Sequence, residues 1–120
     1  MTQSAKAILE YVVKAADAKF AEDILALDMK GVSLLADYFV IMHANNERQL
    51  EAIAQAILDT AAENKQPIKR IEGKDSAKWI LIDLGDIIVH LFNQEERDFY
   101  RLERLWSDAE QVDIRDWISE

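Results

Sequence analysis

The sequence predicts an α/β (α+β) domain built on a single mixed β-sheet of about five strands, with helices packed against it. Three observations carry that expectation. Apolar residues recur three and four apart, the helical period, from Ile8 to Ala16 and again from Leu50 to Ala61. Short β-branched and aromatic runs lie between and after them, strongest at Tyr38–Met42 and in the alternating stretch from Trp79 to Phe92. Only three Gly and one Pro interrupt 120 residues, half of them apolar, which argues against extended disorder. The predicted element order is α-β-β-α-β-β-β-α.

Ser4 is placed to cap a first helix running to about Ala18. Ile8, Leu9, Val12, Val13 and Ala16 form its apolar face, while Lys6, Glu10, Lys14 and Asp17 face water. Ile24-Leu25-Ala26-Leu27 reads as a buried strand, ended by the turn chemistry of Asp28-Met29-Lys30-Gly31. After a connector, Tyr38-Phe39-Val40-Ile41-Met42 is apolar on both faces and predicts the central strand. The loop His43-Ala44-Asn45-Asn46 supplies caps for a long helix from about Glu47 to Asn64. Its buried stripe is Leu50, Ile53, Ala54, Ile57, Leu58 and Ala61. A strand at Ile68–Ile71, entered at Pro67, completes a crossover expected to be right-handed.

From Trp79 the chain alternates as a hairpin. Trp79, Leu81 and Asp83 point one way, and Ile80, Ile82 and Leu84 the other. Gly85 suits a turn position of positive φ in Asp83-Leu84-Gly85-Asp86. On the return strand Ile87, Val89 and Leu91 oppose Ile88, His90 and Phe92. Asn93 reads as the N-cap of a last helix, with Glu96 in capping-box position. Phe99, Tyr100, Leu102, Leu105 and Trp106 give that helix more apolar surface than one stripe needs, which points to a partner. Residues 107–120 read as an acidic tail beside a domain of residues 1–106. Within the tail, Ile114, Trp117 and Ile118 can form one amphipathic turn docked on the body.

Composition excludes several classes. The chain has no cysteine, so disulfides, thiolate zinc sites and cysteine nucleophiles are out. No apolar run approaches a membrane span and no cleavable signal pattern opens the chain, which predicts a cytoplasmic protein. With 23 acidic against 14 basic residues, a net −9, it lacks the footprint of a protein that grips phosphate backbones. Basic protein surfaces would attract it instead, although plain solubility also accounts for the charge.

Asp83 and Asp86, with His90 four residues on, are the one constellation that could hold magnesium or supply an acid and a base. As turn residues they need no such role, and no glycine-rich phosphate cradle precedes them. His43 in its loop and His90 on its strand are too few for a zinc site without cysteine. We therefore expect no catalytic residue, metal or cofactor. Trp79, Tyr100 and Trp106 lie near Leu81, Arg97, Arg101, Glu103 and Arg104, a mixture typical of protein interfaces. Tyr100 and Trp106, six apart, point about 120° from each other on one helix. One flat partner cannot meet both squarely, and we expect Tyr100 at the interface beside the exposed sheet face, with Trp106 partly packed on the body.

Three blocks in order carry a family resemblance. They are Glu22-Asp23-Ile24 through Leu27-Asp28 with Gly31 and Ser33; Asp37-Tyr38-Phe39-Val40-Ile41 with Arg48-Gln49; and Glu72-Gly73, Trp79-Ile80-Leu81-Ile82-Asp83, Gly85-Asp86, Val89-His90, Phe92, Arg97, Tyr100, Leu102-Glu103 and Leu105-Trp106. Over roughly residues 5 to 106 the chain resembles the ribosomal silencing factors, the RsfS/Iojap family. The loop His43-Ala44-Asn45-Asn46-Glu47 departs from the small, hydroxyl-rich pattern of the family, and Leu84 stands where an aromatic is common. The resemblance implies a nucleotidyltransferase-like fold without that catalysis. It implies a translation repressor that binds the fourteenth protein of the large ribosomal subunit and blocks joining with the small subunit under nutrient limitation. The partner-binding residues are then expected among Trp79, Leu81, Asp83, His90, Arg97, Tyr100, Leu102 and Glu103. Two other readings stay open: a remnant nucleotidyltransferase using Asp83 and Asp86, and an oligomeric scaffold such as a homodimer.

Overall fold

Ser4 opens the first helix, α1 (Ala5–Ala18), its hydroxyl oxygen accepting the Ala7 amide at 3.2 Å. The computed structural model describes residues 4–32, 34, 36–73, 79–93 and 109–118. All five residues of the predicted apolar face of α1 are buried. The helix closes through Phe20, whose φ of 65° is a left-handed conformation more often given to glycine. Strand β1 (Glu22–Asp28) begins with a bulge between Glu22 and Leu25, where Asp23 also takes a positive φ. Strand β2 (Tyr38–Ala44) is buried along its whole length. Helix α2 (Glu47–Glu63) is capped by Asn46, whose side chain accepts the Gln49 amide at 2.8 Å. Strands β3 (Arg70–Glu72), β4 (Trp79–Asp83), β5 (Ile87–Asn93) and β6 (Glu110–Gln111) follow, then a 3-10 turn at Arg115–Trp117.

Among the described residues these strands make one mixed sheet in the order β3-β4-β5-β2-β1-β6. Only β2 and β5 pair in parallel; the other four pairings are antiparallel. β2 is internal, as its two apolar faces predict. The segment β2-α2-β3 crosses over two intervening strands, and the β4–β5 hairpin fills the gap.

Both helices pack on one face. Ile8, Leu9 and Val12 of α1 and Leu50, Ile53 and Ile57 of α2 join Val40, Met42, Ile80, Ile82, Val89 and Leu91 in the larger core. Leu27, Met29, Ala36, Phe39, Ile41, Ile88 and Phe92 form a second cluster on the opposite face. The alternation read in the hairpin therefore sorts its side chains between two layers.

Three expectations change. Among the described residues the sheet has six strands rather than about five, because Glu110–Gln111 adds to the β1 edge and Val112 donates to the Ala26 carbonyl at 2.8 Å. Ile114 is buried behind it, and Trp117 and Ile118 pack on the helix-side core. β3 starts at Arg70, later than Ile68, since Pro67 has no amide to donate and pairing begins near Asp83. His43 belongs to β2 and not to a loop, because its backbone pairs with Glu22 on one side and Phe92 on the other.

Candidate functional site

The face opposite the helices brings the aromatic residues together. In the antiparallel β4–β5 ladder, Trp79 stands across from Phe92, Leu81 from His90 and Asp83 from Ile88. The Trp79 and Phe92 rings stack with centroids 5.1 Å apart, and Trp79 tilts over His90 at 6.0 Å. His90 meets Phe39 of the next strand edge-on at 5.3 Å. Phe39, Ile41 and Phe92 are buried, whereas Trp79 and Leu81 on β4 and Leu25 on β1 are half-buried. The apolar strip thus reaches the surface at Trp79 and Leu81.

Charged residues edge that strip on β3. Arg70 pairs across the ladder with Asp83 and Glu72 with Leu81, so both lie on the same face. The Arg70 guanidinium reaches the Asp83 and Glu72 carboxylates, each at 3.5 Å. An apolar and aromatic centre bordered by charge is the anatomy of a protein interface. Sequence reading missed Arg70 and Glu72. Their place depends on the β3–β4 register, for which β3 is too short to leave a periodic signal.

His90 is 5 % exposed, and burial lowers its pKa from the ordinary 6.5 to about 4. It is a neutral ring at pH 7, lying beside Leu81 in the ladder and next to the Trp79 ring. Asp83 is also buried: its carboxylate accepts the Gly85 amide at 2.8 Å besides meeting Arg70. Gly85 takes φ 92°, as its turn position requires. The Asp86 side chain is exposed, while its carbonyl accepts the amides of Asp37 (2.9 Å) and Tyr38 (3.1 Å). Asp83 and Asp86 are thus parts of a turn that locks the hairpin to the start of β2. Among the described residues no group of three or more histidines and carboxylates could hold a metal ion. Arg97, Tyr100, Leu102 and Glu103 lie outside the described residues.

At the other end of β2, His43 Nε2 meets the Glu22 carboxylate at 3.1 Å, and the Asn45 amide group donates to the same carboxylate at 2.9 Å. Gln49 binds the surrounding loops together. Its carbonyl oxygen accepts the Asn45 amide at 2.8 Å, and its NH2 donates to the carbonyls of Phe20 (2.8 Å) and Lys19 (3.3 Å). The departing loop sequence is thus absorbed by polar contacts that hold α1, β1 and α2 in place.

Comparison with known proteins bears on the family and the fold. Residues 2–120 match the family model described as "Ribosomal silencing factor during starvation". A Bacillus subtilis protein named ribosomal silencing factor RsfS is 53 % identical over 109 residues, covering 91 % of this chain and 92 % of that protein. A crystal structure of a Bacillus halodurans protein superposes with a TM-score of 0.81 at 46 % identity, covering 90 % of this chain and 98 % of that one. A Chromobacterium violaceum crystal structure gives a TM-score of 0.85 at 28 % identity, covering 88 % of both chains.

Proposed function

The chain belongs to the ribosomal silencing factor family, and from that premise we propose that it represses translation by occupying the large ribosomal subunit. The contact is made with the fourteenth protein of that subunit, and the bound molecule sterically blocks joining with the small subunit when nutrients are limiting. The observation that supports this best is the apolar strip of Trp79 and Leu81, half-open on the sheet face away from both helices and bordered by Arg70 and Glu72. His90 and Asp83 shape that strip from within, and Arg97, Tyr100, Leu102 and Glu103 complete it in this reading. A protein of net charge −9 is repelled by exposed RNA and so docks best on a basic protein patch. It acts in the cytoplasm, without nucleotide.

Density-gradient sedimentation tests this. Purified protein added to isolated large subunits should co-sediment with them and lower the yield of joined ribosomes when small subunits follow, in ordinary magnesium buffer with no nucleotide. Inhibition that required a nucleoside triphosphate and vanished in Asp86→Asn would replace steric blocking with nucleotidyl transfer.

A further inference from the structure

The β1–β2 loop carries bare apolar side chains on a fixed base. Met29 donates its amide to the Asp37 carbonyl at 2.8 Å, which closes the loop, and the Asp37 and Tyr38 amides bind it to the carbonyl of Asp86 in the hairpin turn. Met29 and Ala36 are buried with Phe39 and Ile88, on the sheet face that also holds Trp79 and Leu81. Gly31, at φ 82°, and the Val32 amide bond to Met29 (3.0 Å) then turn the chain outward. Past that turn Val32 is 44 % exposed and Leu34 is fully exposed, at 106 % of its reference area. Polar residues are the ordinary choice at a loop tip, and loops on rigid scaffolds commonly carry binding residues.

We propose that Val32 and Leu34 are a second anchor for the same protein partner, seated in an apolar recess rimmed by basic side chains. The inference rests on the reading that the Trp79–Leu81 strip meets a large-subunit protein. Charge selects the partner's chemistry. Asp28, Asp37 and Asp86 surround the base of the loop, and its one cation, Lys30, is held at 3.1 Å from the Tyr38 hydroxyl and 4.0 Å from Asp28. Phosphate backbones are repelled by such a surface, while a basic protein surface is matched to it. The strip and the loop are continuous through Ile88, which faces Asp83 across the hairpin and packs with Met29 and Ala36.

Three variants sedimented with purified large subunits over a range of concentrations decide the matter. Val32→Ser/Leu34→Ser should bind about tenfold or more weakly than wild type, as loss of a central apolar anchor does. Its unfolding midpoint should not move, because both side chains are exposed. Leu34→Met, which keeps the apolar tip, should bind as wild type does. If the double variant binds normally while Leu81→Ala is released, the second anchor is refuted and the proposed function stands. Normal binding by both refutes the proposed function as well. Should the double variant lose stability, Asp86→Lys serves instead: weakened binding supports the anchor and unchanged binding overturns it. Wild-type binding to protein-free large-subunit RNA that the double variant lost would give the loop an RNA partner and overturn the proposal.

Discussion

The ring of His90 packs edge-on against that of Phe39, centroids 5.3 Å apart, in the middle of the sheet. Burial places the His90 pKa at about 4, below the 6.5 of the unfolded chain. Between those values the unfolded state binds a proton that the folded state refuses. Stability contributed by neutral His90 is therefore complete above pH 6.5 and is lost as pH falls towards 4. Between pH 7 and pH 5 the loss is about 2 kcal/mol, at roughly 1.4 kcal/mol per unit. Urea denaturation of wild type and His90→Phe at both pH values should show wild type losing that much more than the variant. Equal losses would remove His90 as the cause.

The hairpin turn separates backbone strain from a lost hydrogen bond. An alanine Cβ at Gly85 would meet nothing within 4 Å, so Gly85→Ala costs only the strain of its φ of 92°, about 1 kcal/mol. Asp83→Ala strips the Gly85 amide of its acceptor and Arg70 of a partner. That should cost about 2 kcal/mol. Equilibrium unfolding midpoints give the ranking, and the reverse order would contradict a structural role for Asp83.

Gln49→Ala removes three hydrogen bonds at once, to the amide of Asn45 and the carbonyls of Phe20 and Lys19. These contacts are partly exposed, so the expected loss is about 1–2 kcal/mol, a fall of roughly 4–8 °C in Tm for a domain of this size. Gln49→Glu should do no better, because a carboxylate can replace the acceptor but not the donors. A Glu variant as stable as wild type would show that the bonds to Phe20 and Lys19 contribute little.

Partner binding and stability should divide along the chain. Leu81→Ala and Tyr100→Ala are expected to weaken large-subunit binding by about 2 kcal/mol or more, roughly thirtyfold, with Tm nearly unchanged. Trp106→Ala should mainly lower Tm. Trp79→Ala should do both, since its ring stacks on buried Phe92 as well as reaching the surface. A swap between the Tyr100 and Trp106 outcomes would reverse their assignment.

How far this was legible beforehand depends on the range of each signal. Helical periodicity placed the buried faces of α1 and α2, with Leu58 alone among the named positions ending half-buried. Period-two alternation separated Trp79 and Leu81 from Ile80 and Ile82, but it does not state which side the helices cover. Packing decides that. The β6 strand was not legible, because two exposed polar residues have no period and pair only where β1 offers an edge. The His43–Glu22 and Arg70–Asp83 contacts likewise follow from strand register, which no local stretch encodes.

The parallel pairing of β2 with β5 also bears on how the chain reaches its fold. β2 is apolar on both sides, yet its inner neighbour arrives only after α2, β3 and β4 have been laid down. Until β5 is present, the β2 edge is an unsatisfied row of amides and carbonyls flanked by exposed hydrophobic side chains. Joining strands so distant along the chain incurs loop-closure entropy before any contact repays it, which slows folding relative to helical domains of equal length. During synthesis the nascent chain should therefore stay protease-sensitive until residues past Asn93 clear the ribosome, so a chain truncated before β5 should aggregate rather than fold.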